Sequence, residues 1–493
     1  MSRRQNIAWK SDNPALVEFL ECDTCWKLAR TVKKNARRTV YRVQSERLEC
    51  SIFLKHEHPP TAFSRLKNLF RPKARLEFNA GMALAAAGVP VIRMLAWGRD
   101  GAESFLVTAE AEDVYTFDDL WARCRLDLGL RSRFIQALGF FLSRLLCARV
   151  SHPDMHSGNL IGLTGADGMQ FLLVDVYGIT TKKRLSHGDE LRLFAWLRSF
   201  FRELNPEEVT TLMTKALGTD EDAADRFFRD VLHFQARAAV HRWRGRKRRL
   251  LRESSLCSEE KTEQGRWLLR KPFTLETARD AAERHFSDAD ASANTLLKND
   301  RKRQISRIQT MGKTYVIKVF SDPGVRGPFR PDRISWLNAY RLELHSVPAA
   351  RHYAWLRLSA GLGLLTMEDV GPLCLYHELA RLSPLQRRPL LYQAATLLAL
   401  IHTALVAPRD MKMSNIMIHQ KPGFPHMPLT LIDCDSIRFS RRVRDRDRTR
   451  NLGQMLGTIK GGTGWLERLR FLAKYRQEAR LSKTQMRRLL KGL

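Results

Sequence analysis

The chain has 493 residues, room for two or three domains at roughly 150 residues each. Hydrophobic residues make up 44% and aromatics 9%, enough to bury a sizeable core, so a wholly disordered chain is excluded. Lysine and arginine exceed aspartate and glutamate by 84 − 52 = 32, an excess that favours an anionic partner: a nucleotide, a nucleic acid or an acidic membrane face.

In chain order, the opening MSRRQNIAWKSDNP has basic residues but no apolar run after them, so no secretory signal is expected. No stretch reaches about 18 uninterrupted apolar residues, and no transmembrane helix is expected. Cys22-Asp-Thr-Cys25 has no second CxxC and no HxxxH nearby to complete a four-ligand zinc site, and reads as two incidental thiols. The eight cysteines are mostly scattered, as expected of reduced thiols in a cytoplasmic protein. Strands are expected at 38–44 and 50–56, a helix at 73–87, a strand at 104–109 and a helix at 130–149. A short apolar run follows at Phe171–Val174, then helices at 187–203 and 206–217. The same succession returns as strands at 303–309 and 314–320, a helix at 332–345, a strand at 363–368, a helix at 383–405 and an apolar run at Leu429–Ile432.

The residues recur as well as the pattern. RTVYRVQ from Arg38 returns as RQISRIQ from Arg303, an offset of 265. FLK ending at Lys55 returns as VIK ending at Lys318, and FRPKARLEFNA from Phe70 returns as FRPDRISWLNA from Phe329. LVTAE ending at Glu110 matches LLTME ending at Glu368. Asp154 and Asn159 match Asp410 and Asn415, and Asp175 matches Asp433. Matches in one order with slowly drifting offsets mark an internal repeat. The fold class expected is α+β: two tandem copies, each a small sheet-bearing lobe followed by a larger helical lobe. A charged, poorly periodic stretch at 253–295 reads as a linker between a first domain, 1–252, and a second, 296–493.

The sharpest motif is His152-Pro-Asp154-Met-His156-Ser-Gly-Asn159, followed by Asp175 at the end of an apolar strand. Phosphoryl transfer needs a carboxylate to orient an acceptor hydroxyl and take its proton. It also needs hard oxygens to hold Mg²⁺ on nucleotide phosphates. Asp154 suits the first task; Asn159 and Asp175 suit the second. The second copy reads Arg409-Asp410-Met-Lys412-Met-Ser-Asn415, then Asp433, with Asp410 as base and Asn415 and Asp433 as metal ligands. Lys412 either contacts the transferring phosphate as a cation near developing charge or is an exposed loop lysine. Lys55 and Lys318 end apolar strands. A lysine there holds the α/β-phosphates of ATP when a helix glutamate fixes it, and Glu77 is the natural partner of Lys55. The ungapped repeat sets Trp336 opposite Glu77, and the nearest helical acid, Glu343, lies two turns on, about 10 Å away. The second copy is therefore expected to lack a partner for Lys318 and to bind nucleotide poorly. Neither lysine is preceded by GxGxxG; the phosphate-covering turn is sought at Gln44-Ser-Glu-Arg and Gln309-Thr-Met-Gly312.

These residues belong to the protein-kinase-like pattern, and their particular versions resemble the lipopolysaccharide kinase (InaA-like) family, which includes the bacterial core heptose and Kdo kinases. The resemblance runs from about Arg38 to Asp175, through FLKHE, LKNLFRPKARLE, AAGVPV, SFLVTAE and the HxDxHxxN loop. It runs again from about Arg303 to Asp435, through IKVF, WLNAYRL, LTMED, RDMKMSN and LIDCDS. It implies two tandem protein-kinase-like domains and ATP- and Mg²⁺-dependent phosphorylation of a sugar hydroxyl in the lipid A–core region, at the cytoplasmic face of the inner membrane. By position it makes Asp154 and Asp410 catalytic, Asn159, Asp175, Asn415 and Asp433 metal ligands, and Lys55, Glu77 and Lys318 the phosphate-holding set. The familiar enzymes have one such domain, not two.

Two basic segments suit an anionic glycolipid substrate and peripheral contact with the inner membrane: Arg237–Arg252, with eight lysines and arginines and no acid, and Arg441–Arg450, with six arginines and two aspartates. The basic runs carry little interleaved aromatic apart from Trp243 and no recognition motif, which argues against nucleic acid. Two alternatives are weighed. Small-molecule phosphotransferases of the aminoglycoside or choline type share HxDxHxxN but usually bind cationic acceptors with acids, which the +32 balance opposes. A scaffold of one or two pseudokinases is the other alternative; Trp336 supports it for the second copy only, since Asp410, Asn415 and Asp433 are all kept.

Overall fold

The computed structural model describes residues 7–48, 50–153, 155–165, 168–198, 200–287, 295–301, 303–320, 329–358, 362–418, 429–458 and 464–493. The chain is mixed α+β and divides into two compact units, Met1–Val231 and Leu232–Leu493.

The first unit opens with β1 (Ala8–Lys10), α1 (Pro14–Glu21), α2 (Asp23–Leu28), β2 (Arg30–Asn35), β3 (Arg38–Val43) and β4 (Ile52–Glu57). α3 (Ala62–Phe70), α4 (Lys73–Ala86), β5 (Met94–Asp100) and β6 (Glu103–Ala109) follow. The strands form one antiparallel sheet in the order β1-β5-β6-β4-β3-β2. β4 alternates as a strand with one buried face must. Ile52 and Leu54 turn to a core with Leu16, Phe19, Leu20 and Cys25 of α1 and α2, and Lys55 takes the opposite side. Cys25 is thus a core residue, and burial pushes its thiol up to about 12.

The rest of the unit is mainly helical: β7 (Val114–Thr116), α5 (Phe117–Cys124), α6 (Leu128–Cys147), β8 (Val150–Ser151), β9 (Leu160–Gly165), β10 (Gly168–Leu173), β11 (Thr180–Thr181), α7 (His187–Ala195), α8 (Pro206–Leu217) and α9 (Glu221–Arg246). The helix expected at 187–203 stops at Ala195 and continues as short 3₁₀ turns, Trp196–Arg198 and Phe200–Arg202. There Phe200 packs edge-on to Phe117 and Trp121, in a cluster with Phe134 and Phe171. Phe171 anchors β10 and so the approach to Asp175.

The second unit repeats this order. It has β12 (Cys257–Thr262), β13 (Gly265–Arg270), α10 (Leu275–Phe286), β14 (Thr295–Asp300), β15 (Arg303–Thr310), β16 (Lys313–Phe320), α11 (Pro331–Leu344), β17 (His352–Leu358) and β18 (Gly363–Glu368). Its sheet runs β12-β13-β17-β18-β16-β15-β14, the first unit's order with one strand added at the edge. Then come α12 (Leu375–Arg381), α13 (Pro384–Thr403), β19 (Val406–Pro408), β20 (Ile416–Ile418), β21 (Leu429–Leu431), β22 (Ile437–Phe439), α14 (Asp445–Gly457), α15 (Trp465–Glu478) and α16 (Lys483–Leu490).

The expected linker at 253–295 is corrected: β12, β13 and α10 occupy most of it, and both strands belong to the second sheet. Two features hid them. β12 is an edge strand written CSEEKT, and the buried face of α10 is made of Ala278, Ala281 and Ala282, which give little hydrophobic contrast. The first domain is likewise shorter than 1–252. The division falls inside α9, and Trp243 and Leu250 are buried in a second-unit core with Trp336 and Trp355. Part of the basic segment Arg237–Arg252 is therefore built into that core's edge, with Arg246 Nη1 donating to the Tyr340 hydroxyl at 2.7 Å. Among the described residues, no helix is long and apolar enough to cross a membrane.

Candidate active sites

In the first unit β4 presents Lys55 to α4, where Glu77 is almost wholly buried. Lys55 Nζ lies 2.5 Å from Glu77 Oε1 and 3.9 Å from Asp175 Oδ1. Burial pushes the Glu77 carboxyl up, against the pull of Lys55. Burial would raise Asp175 too, but Lys55 and Arg38, with the Tyr177 N–H and Lys73, together hold it below the usual carboxylate range. Asp175 keeps 37% of its side chain exposed. Asn159 closes a 3₁₀ turn over Ser157–Asn159, and its carbonyl accepts the Val174 N–H at 3.0 Å, tying the motif loop to the residue before Asp175. Lys55, Glu77 and Asp175 thus meet, with Asn159 joined to them through the backbone. Asp154 lies outside the described residues.

The second unit repeats the frame. The Asn415 carbonyl accepts the Ile432 N–H at 3.1 Å, one residue before Asp433, and Asn415 Nδ2 donates to the Asp410 carbonyl at 3.0 Å. Lys412 is engaged by the side chain of Asp410, 2.8 Å away.

The expectation of an unpartnered Lys318 is corrected. Its buried Nζ lies 3.1 Å from Asp433 Oδ1 and 3.6 Å from Asp435 Oδ2. Glu343 pairs instead with Arg270, at 2.9 Å. The opposition of Trp336 to Glu77 is corrected as well. α4 and α11 both have 14 residues, and the bond closing each, Val89 N–H to Leu84 O and Val347 N–H to Leu342 O, is 3.0 Å. Matching the helices by these ends gives an offset of 258 and puts Ser335 at the Glu77 position. Ser335 bonds His352 Nε2 at 3.1 Å. Trp336, one residue on, points into the core and donates to the Leu250 carbonyl at 3.1 Å. The same one-residue slip affects Glu110. Lys55 pairs with Leu106 across the sheet and Lys318 with Leu365, so Asp369, not Glu368, is its counterpart. Arg42 binds Glu110 at 2.7 Å as Arg307 binds Asp369 at 2.5 Å.

Asp435 escaped the sequence reasoning, although LIDCDS sets a second acid just two residues beyond Asp433. Burial raises both acids, but Lys318 and Arg303 hold Asp433 low, while the neighbouring Asp433 charge pushes Asp435 further up. Arg38 and Arg303 were also missed. Arg38 lies 3.7 Å from Asp175, and Arg303 lies 3.5 Å from Asp433 and 3.2 Å from Asp435. Their recurrence at the head of the repeat was the available signal. They also move the turn nearest the site. It is the β2–β3 turn, where Asn35 Oδ1 accepts the N–H groups of Arg37 and Arg38 at 2.9 Å each, and in the second unit the end of β14 and start of β15, where Asp300 Oδ1 accepts the Arg303 N–H at 2.8 Å. The turns expected to cover phosphate, at 44–47 and 309–312, sit at the opposite strand ends, beside the Arg42–Glu110 and Arg307–Asp369 pairs.

No protein-family model and no curated protein matches the chain.

Proposed function

We propose that the chain is an ATP-dependent phosphotransferase of two kinase-like units, acting on a sugar hydroxyl of an anionic glycolipid of the lipopolysaccharide core at the cytoplasmic face of the inner membrane. The observation that carries this reading is the Lys55–Glu77 pair set beside Asp175. A buried carboxylate fixes the ammonium without consuming the open carboxylate next to it. Asp175 and Asn159 supply hard oxygens of the kind Mg²⁺ takes, and the half-open Asp175 side chain fits that use. When bound, Mg²⁺-ATP would supply the phosphoryl group and neutralise its charge. Lys55 would hold the α- and β-phosphates, and Arg38 and the β2–β3 turn would bring cations over them. Asp154 would orient the acceptor hydroxyl and take its proton.

The second unit fits Mg²⁺ less well, because Lys318 and Arg303 already occupy Asp433 and Asp435. We assign catalysis to the first unit and a non-catalytic role to the second.

The test is transfer of labelled γ-phosphate from ATP to purified core glycolipid by the full chain. Asp154→Asn should leave ATP affinity nearly unchanged and lower turnover by orders of magnitude; Asp410→Asn should have a smaller effect. Glu77→Gln should lower turnover about ten-fold by loosening Lys55. Full transfer by the Asp154→Asn/Asp410→Asn double variant would sink the phosphotransferase reading.

A further inference from the structure

α3 is held to its sheet from one side. Asn68 Nδ2 donates to the Ala102 carbonyl at 2.5 Å and to Ser104 Oγ at 3.3 Å, and Asn68 Oδ1 accepts the Lys73 N–H at 2.8 Å. At 100° per residue, Phe63, Leu66 and Phe70 lie within about 40° of the direction opposite Asn68 and Leu69 stands at the side of the same arc; they are 79%, 55%, 78% and 42% exposed. Arg65 and Lys67 border this arc on its two sides. Between Glu57 and Glu77 the chain has Arg65, Lys67, Arg71, Lys73 and Arg75 and no acid. The helix is already formed: Thr61 and Ser64 make a reciprocal capping box, so docking would not have to order it.

Four large apolar side chains facing water between cations make an unpartnered face of defined chemistry. A second copy of this chain would set like charges opposite one another, and a protein groove would have to supply acids at both edges. An anionic bilayer answers both requirements, with an acyl boundary for the rings and phosphates for the cations. We propose that α3 is a membrane-surface anchor that lays Phe63, Leu66, Leu69 and Phe70 into the interface of an anionic bilayer, with Arg65 and Lys67 on lipid phosphates. This deepens the membrane placement in the proposed function but rests on α3 alone, not on the phosphotransfer chemistry. Because α3 leads through Arg71 and Pro72 into α4, the anchor sits one turn of chain from the helix that carries Glu77.

The experiment is co-sedimentation of the full chain with phosphatidylcholine vesicles and with mixed phosphatidylcholine–phosphatidylglycerol vesicles. The chain should bind the mixed vesicles, lose binding as salt rises, and bind the neutral ones weakly. Phe63→Ser/Leu66→Ser/Phe70→Ser should weaken partitioning at least about ten-fold with an unchanged melting temperature, since the three side chains are exposed. Arg65→Glu/Lys67→Glu should weaken it at low salt, with the difference shrinking at high salt. Equal binding by the triple variant would overturn the proposal and credit the basic segments elsewhere in the chain. Failure of the wild type to bind anionic vesicles would overturn it too, as would a self-association that the triple variant abolishes. Vesicle binding is read without ATP, so its failure is distinct from failure of phosphate transfer.

Discussion

Lys318 is buried among charges, and its surroundings set what its removal should do. It compensates two acids that burial disfavours, with Arg303 as the other cation beside them. Lys318→Met should therefore cost the second unit about 3 kcal/mol or more, as breaking a buried ion pair from one side does. Urea denaturation of the full chain, with tryptophan emission as the signal, would show it; an unchanged midpoint would mean that water reaches the pair. Asp435 makes a finer test. Its carboxyl is raised in the fold, so the protonated form is favoured there, and the stability this brings is present at low pH and lost as pH rises through the folded-state value. Asp435→Asn keeps the neutral form at every pH. It should raise the unfolding midpoint at pH 8, with the gain fading as pH falls towards the ordinary carboxylate range. A gain that grows on acidification would contradict the assigned shift.

At the scale of elements, α4 and α11 show how one helix serves two settings. In α4 the residue paired with the sheet lysine is Glu77; the matching position of α11 is Ser335, which bonds His352, and the neighbouring Trp336 fills a core with Trp243, Leu250 and Trp355. A glutamate at 336 would not restore the first unit's pair but would bury a charge among apolar side chains. Trp336→Glu should cost at least the ~3–5 kcal/mol of a buried tryptophan lost, whereas Ser335→Glu adds volume in a tight place and should cost ~1–3 kcal/mol. Chemical denaturation of both variants would rank them, and the reverse order would return Trp336 to the Glu77 position.

Across the whole molecule, the second unit carries a pH sensitivity of its own. His352 and His402 are fully enclosed, and burial lowers both to about 3. His402 Nε2 bonds Asn451 Oδ1 at 3.1 Å and its Nδ1 faces the Tyr475 hydroxyl at 2.7 Å, an arrangement that fits the neutral ring donating from Nε2 and accepting at Nδ1. A histidine lowered in the fold binds its proton more readily when unfolded. Stability is therefore lost as pH falls below the unfolded value near 6.5, by up to about 1.4 kcal/mol per pH unit for each ring. Hydrogen exchange at pH 7 and pH 5, corrected for intrinsic rates, should show α13, α14 and α15 losing protection on acidification. His402→Gln should flatten part of that loss; a pH-independent profile would mean that the rings are solvated.

The sequence alone carried the repeat, the three strands around the lysine in each sheet, the helices α4, α6, α8, α11 and α13, and the juxtaposition of Lys55 with Glu77, because apolar periodicity and recurring polar letters are local signals. It also exposed Asp175 and Asp433 as strand-end acids. Tertiary structure decided what depends on register and on partners distant in the chain. An ungapped match could not see that α11 and β18 stand at different offsets from their counterparts, by 258 and 259, and this is what exchanges Trp336 for Ser335 and Glu368 for Asp369. Nor could it see that Arg38 and Arg303 reach across to Asp175 and Asp433, or that Lys318, lacking a helix acid, is held by Asp433 and Asp435 more than 100 residues away. Ion pairing acts through space, and only folding brings those charges within reach of one another.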